Sequence, residues 1–153
     1  MSTYKVAIIM GSPNDRPKMA PAAETLAGFD IEADVLVMSA HRTPAKVAEF
    51  VGSARANGYA AIIAGAGMAA HLAGAAAAHT TLPVVGVPLS GGALNGVDAL
   101  YATVQMPKGI PVATVAVDGS INAALLVVQM LAISDPDLEA KLVADREARA
   151  SVS

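Results

Sequence analysis

Five short apolar runs, at 4–10, 31–37, 60–64, 83–87 and 112–117, are separated by stretches each long enough for a helix. Most are uninterrupted rather than alternating, and rich in β-branched residues or alanine, as expected of strands covered on both faces. A strand that needs cover on both sides and is followed by a helix-length crossover fits one arrangement best. That arrangement is a right-handed, doubly wound parallel sheet between two helical layers, a three-layer α/β fold of five strands. Local punctuation agrees. Pro17 and Gly28 bracket a helix over 16–27, and Thr43-Pro44 supplies an N-cap and a first-turn proline for a helix to about Asn57-Gly58. Residues 69–79, 96–105 and 121–133 supply three more, and Ser134-Asp135-Pro136-Asp137 opens a last, highly charged helix to about Ala150.

The length of 153 residues suits a single domain over 1–153, with no linker or repeat; the alanines Ala73 and Ala75 to Ala78 read as close helix packing. Hydrophobic residues make up 54% of the chain, charged residues only 15% and aromatics 3%, so the core must be aliphatic. So few charges leave apolar surface uncovered, and burial against other subunits is expected, with the almost wholly apolar 121–133 helix a candidate for it. A net charge of −3 without a basic cluster excludes nucleic acid as a partner. The absence of cysteine removes disulfides, thiolate nucleophiles and sulfur-ligated zinc, and suits the cytoplasm. No membrane association is expected: the 121–133 stretch is too short to span a bilayer and contains Asn122 and Gln129, and the apolar run before Gly11 is too short for a signal segment.

Two loops carry the chemistry. Gly11-Ser12-Pro13-Asn14-Asp15 follows the first run and Ser39-Ala40-His41-Arg42-Thr43-Pro44 the second. In an open parallel sheet the loops after the strands gather at one edge, where ligands bind. A titratable ring, a phosphate-binding cation and short hydroxyl donors therefore converge. A lone histidine is more often structural, but His41 stands between Ser39 and Arg42 at a strand's carboxyl end, which favours a catalytic role. His71 either lines the same pocket or caps its helix; His79 reads as a surface residue at a helix end. Asp15 is either an N-cap or an acceptor for ribose hydroxyls.

Residues 65–70, Gly-Ala-Gly-Met-Ala-Ala, match the dinucleotide fingerprint G-x-G-x-x-G/A. They do not follow the first strand, however, and no Asp or Glu lies between Glu49 and Asp98 to hold a ribose. The glycines instead imply a loop whose backbone N–H groups closely approach a ligand. No second histidine or carboxylate has metal-ligand spacing, and neither Ser12 nor Ser39 sits in a G-x-S-x-G context.

Taken together, the blocks Gly11-Ser12-x-x-Asp15, Ser39 to Pro44, Ala64-Gly65-Ala66-Gly67-x-Ala69-Ala70-His71-Leu72-x-Gly74, Gly86-Val87-Pro88, Val104 to Val115 and Asn122 to Leu126 resemble the bacterial 5-(carboxyamino)imidazole ribonucleotide mutases of purine biosynthesis. The resemblance covers nearly the whole chain in order. Its glycine loop favours the mutase branch over the relative that carboxylates aminoimidazole ribonucleotide directly with carbon dioxide. It implies a flavodoxin-like scaffold, a small ribonucleotide substrate, no ATP, metal or cofactor, and a homo-octamer. The reaction implied moves a carboxylate from an exocyclic nitrogen to a ring carbon through trapped carbon dioxide, with His41 giving and taking the proton. Arg42, Ser12, Ser39 and Asn14 would hold the 5′-phosphate and Asp15 the ribose. Gly65, Ala66, Gly67, Met68 and Ala69, continuing to Ala70, would cage carbon dioxide, while Ala40, His71 and Leu72 complete the substrate set. The chain departs from the pattern at Asn14, where serine is usual, at Met68, where glycine is usual, and at Ala73, where proline is usual. The loop around Asp118-Gly119-Ser120 is shorter than typical. The changes at Asn14 and Met68 leave open a competing reading, a non-catalytic nucleotide-binding or regulatory module on the same scaffold.

Overall fold

A computed structural model describes residues 3–152. The strands are β1 (Lys5–Met10), β2 (Glu32–Val37), β3 (Tyr59–Gly67), β4 (Val84–Leu89) and β5 (Ala113–Thr114), and the helices α1 (Arg16–Gly28), α2 (Pro44–Gly52), α3 (Leu72–Ala78), α4 (Val97–Val104), α5 (Ser120–Ala132) and α6 (Pro136–Ala150). All strand pairings are parallel, in the order β2-β1-β3-β4-β5. This is the flavodoxin-like order, with its topological switch between β1 and β3.

The uninterrupted apolar runs have their expected cause. On β1, Val6, Ile8 and Met10 face Met19, Ala22 and Leu26 of α1 and Ala123, Ala124, Val127 and Val128 of α5. The alternate residues Ala7 and Ile9 face Val47 and Val51 of α2 and Leu72, Ala73 and Ala76 of α3. All five of Val6 to Met10 are fully buried, and each large side chain so placed contributes about 1.5–3 kcal/mol. At the far end Asp135 caps α6 by accepting from the N–H groups of Asp137 and Leu138, and the Tyr4 hydroxyl donates to the same carboxylate over 2.9 Å. Among the described residues no helix is long and apolar enough to cross a membrane.

Several boundaries differ from expectation. Helix α2 stops at Gly52 rather than near Gly58, because the Ser53 hydroxyl bonds back to Glu49 O and tight turns follow, closed by Gly58 at φ +86°. Strand β5 keeps only two paired residues of the 112–117 run. Helix α3 starts at Leu72 rather than at 69. Helix α5 buries one face and leaves Ile121 exposed, so it is not apolar-packed all round in the single chain. Met1, Ser2 and Ser153, included in the 1–153 domain expectation, lie outside the described residues.

Gly86, in the middle of β4, has room for no side chain. A Cβ there would strike Thr103 Cγ2 and lie 2.9 Å from Val112 Cγ1 and 3.1 Å from Ala73 Cβ. The Ala73 methyl has no rotamer to retreat into. We expect Gly86→Ala to destabilise the fold by about 1–3 kcal/mol through overpacking. Chemical denaturation would show this as a lower midpoint at unchanged slope, and an unchanged midpoint would refute the packing.

Candidate active site

A cavity of about 420 Å³ opens at the carboxyl edge of the sheet. The β1 loop contributes Gly11, Ser12, Asn14 and Asp15, and the β2 loop Ser39, Ala40, His41 and Arg42. From β3 and the turn after it come Ala66, Gly67, Met68, Ala69, His71 and Leu72. Every residue expected at the site lines this cavity except Gly65 and Ala70, the latter buried beneath the turn.

In the β1 loop the Ser12 hydroxyl accepts from Asn14 N–H over 3.2 Å and opens a single 3-10 turn, Pro13–Asp15. Asp15 occupies the N-cap position of α1 but makes no side-chain cap bond, so its carboxylate remains available to the cavity. Burial raises that carboxyl above its usual range, against the lowering effects of the Lys18 charge and of the backbone bond from Ser12.

The β2 loop is held by two hydroxyls. The Ser39 oxygen accepts from the N–H groups of both His41 (3.2 Å) and Arg42 (3.1 Å). Thr43 Oγ1 accepts from Ser39 N–H at 2.8 Å, and Thr43 N–H donates to Ser39 O at 2.9 Å. Thr43 therefore fastens the loop, and its hydroxyl does not cap the N–H groups of α2 as the sequence suggests. The result aims His41 and Arg42 at the cavity from a braced turn. His41 Nε2 meets His71 Nδ1 at 2.7 Å, with the rings edge to face. One ring must donate and the other accept, so each fixes the other's tautomer. Among the described residues the Arg42 side chain has no hydrogen-bond or ion-pair partner, so its five donors remain available to a ligand.

The glycine segment departs from the expected loop. Gly65, Ala66 and Gly67 are the last residues of β3, paired with Val87, Pro88 and Leu89, so the ladder engages much of their backbone. Gly65 is absent from the lining because Met19 of α1 occupies the space where its side chain would be. The Ala70 and His71 N–H groups close tight turns onto Met68 O and Ala69 O. The backbone cage is thus shorter than residues 65–70 implied. Met68 adopts φ +50°, the left-handed region that favours glycine, and its side chain is 59% exposed at the cavity mouth. His79 lies exposed at the end of α3, remote from the lining.

Ser90, Gly91 and Gly92, after β4, complete the wall and were missed in the sequence reading. Their signal was present: a Ser-Gly-Gly directly after an apolar run, at the same sheet edge as the other loops. Ser90 N–H donates to Asp118 Oδ1 at 2.9 Å, and its hydroxyl donates to Asp118 Oδ2. Lys18 Nζ donates to both Ser90 O and Ser90 Oγ. Burial alone would raise the Asp118 carboxyl, but the two Ser90 donors and the Lys18 charge outweigh it and hold the group below its usual range. Among the described residues no group of three or more His, Asp or Glu is arranged to hold a metal ion.

A family model described as AIR carboxylase matches residues 5–151. The chain is 52% identical to the N5-carboxyaminoimidazole ribonucleotide mutase of Pyrococcus abyssi over 143 residues, 94% of this chain and 82% of that one. It is also 52% identical to the mutase of the same name from Mycobacterium tuberculosis over 148 residues, 97% of this chain and 85% of that one. A crystal structure of Treponema denticola PurE superposes with a TM-score of 0.87 at 27% identity, covering 96% of this chain and 92% of that one. With nearly every residue matched by the family model and half identical in relatives of similar length, the chain belongs to the AIR carboxylase family.

Proposed function

We propose that this chain is an N5-carboxyaminoimidazole ribonucleotide mutase of purine biosynthesis. In this reading it is a single-domain cytoplasmic enzyme that moves the carboxylate of its substrate from the exocyclic nitrogen to the neighbouring ring carbon. The observation that carries the reading is the His41–His71 imidazole pair in one cavity with Arg42, whose guanidinium has no partner among the described residues. The names and identities of the relatives support it.

The reaction needs one proton moved twice. The nitrogen gains a proton as the N–C bond breaks and carbon dioxide leaves. The ring carbon attacks the retained carbon dioxide, and that carbon then loses its proton. A single imidazole can donate first and accept afterwards, because its charge changes near neutrality. His41 has that role, and His71 orients its ring. Arg42 and the Ser12 hydroxyl bind the 5′-phosphate, with Asn14 donating through its amide and Asp15 accepting from the ribose. Ser39 acts mainly through the turn it braces. Carbon dioxide is neutral, so it is retained by closure of the wall from Ala66 to Ala69 rather than by charge.

Conversion of the carboxyamino substrate to the carbon-carboxylated product, followed by its ultraviolet change, tests the activity directly and separates it from a binding-only module. His41→Asn preserves shape and one hydrogen bond but cannot exchange a proton near neutrality. General acid–base catalysis contributes about 10²–10⁴-fold, and a residue used for two successive transfers is expected to lie toward the upper end of that loss in kcat. Turnover within about tenfold of the parent would make His41 structural and pass the role to His71.

Arg42→Ala is expected to act on binding. A charge-assisted hydrogen bond is worth about 1.5–3 kcal/mol, so KM rises roughly tenfold or more while kcat falls less. An unchanged KM would place the phosphate elsewhere.

The chain also leaves an apolar stripe in solvent. Val97, Tyr101 and Val104 recur at helical spacing along the outer side of α4, with Tyr101 62% exposed, and exposed Leu94 adjoins them in the preceding turn. We assign this stripe to contacts between copies in a homo-octamer. Light scattering should return eight times the chain mass, and a stable monomer at micromolar concentration would overturn the assignment.

A further inference from the structure

Resting on the mutase reading, we propose that Lys18 and Asp118 are positioning residues that clamp the Ser90–Gly92 turn as the wall retaining carbon dioxide beside the ring. The turn has little else to hold it. Gly91 and Gly92 carry no side chains to anchor them and have φ of +152° and +66°. All three polar groups of Ser90 are instead bonded by two side chains from elsewhere in the chain. Asp118, just before α5, takes the N–H and the hydroxyl, and Lys18, in the first turn of α1, takes the carbonyl and the hydroxyl oxygen. The clamp therefore ties the β4 loop to two separate elements. One of these is α1, whose N-cap residue Asp15 lines the same cavity.

The clamped turn meets the glycine segment across the cavity mouth. Met68 Sδ lies 3.0 Å from the point where a Gly92 Cβ would stand, so the two loops touch through the methionine. If the turn recedes, this contact opens first. A neutral molecule of three atoms has no charge for Arg42 or an imidazole to grip, and only a closed wall keeps it in place. Loss of the clamp thus separates the two half-reactions. The N–C bond still breaks with proton transfer to nitrogen, but carbon dioxide escapes before the ring carbon attacks, leaving the decarboxylated amine. Phosphate binding is little affected, because the clamp makes no bond to Ser12, Asn14 or Arg42.

The test measures how consumed carboxyamino substrate divides between carbon-carboxylated product and decarboxylated amine, above enzyme-free decomposition. The parent should give mainly product. Lys18→Met keeps the side-chain length and removes the donors, and Asp118→Asn suits the positive φ of 60° at that position. Each is expected to raise the amine fraction at least about threefold with KM within about twofold. Ser120→Ala serves as the structural comparison, because it deletes the half-buried bond from Ser120 Oγ to Lys18 O without touching Ser90. It should lower stability and leave the partition at the parent's value. Should either clamp variant fail to fold, Ser90→Ala removes the hydroxyl's share of the clamp and gives the same readout. A productive parent whose folded variants partition as it does overturns the clamp alone. A parent that forms no product overturns the mutase reading and the clamp's role with it.

Discussion

Parallel pairing of β1 with strands on both sides ends in one place: Met10 lies level with Val37 of β2 and Gly65 of β3. β1 and β2 leave the sheet there and β3 two residues later, after Gly67, so three loops remote in sequence become neighbours at one edge. β4 joins the same edge through Gly67 and Leu89. The alternation of buried residues on β1 sets this register, because a slip by one residue would turn Ile8 and Ile9 to the wrong faces. The cavity is thus a by-product of the core, and its position is as stable as the packing of α1 and α5 on one side and α2 and α3 on the other.

Within that frame the loops owe their shape to short polar side chains bonded to backbone. Ser12 turns the β1 loop, Ser39 and Thr43 brace the β2 loop, and Asp118 with Lys18 fastens the turn after β4. Each device satisfies backbone groups that no regular element reaches. The functional side chains, by contrast, have few ties within the chain. Asp15 makes no cap bond, and among the described residues Arg42 has a free guanidinium and the His41 ring bonds only to its fellow imidazole. Braced backbones presenting loosely held polar groups suit a site that must bind a charged ligand without first breaking internal contacts.

Much of this was legible in the chain. Uninterrupted apolar runs at regular intervals specify strands buried on both faces, and the rule that ligands meet the carboxyl edge placed His41, Arg42, Ser12 and Asp15 together. The rest depended on information that local pattern does not carry. The glycines at 65–67 read as a loop because small residues mark both loops and tight strand packing; Met19, distant in sequence, makes Gly65 the latter. Thr43 matched the N-cap signature, yet its hydroxyl found a nearer partner in Ser39 N–H. The Ser90 turn was overlooked because its partners, Lys18 and Asp118, lie far away in the chain and become adjacent only when α1 and α5 pack together.

The imidazole pair has a consequence in proton counting. Two neutral rings carry two N–H protons, and a bond between them uses one of these as the bridge. A third proton fits on the pair with the bridge intact, giving a single positive charge. A fourth does not, because His41 Nε2 and His71 Nδ1 would then both be donors facing each other across 2.7 Å. While the rings remain bonded, the pair thus holds at most three N–H protons, and a fourth must drive the rings apart. Ring separation therefore reports the proton count: a bonded pair carries two or three N–H protons, and four require the rings to part.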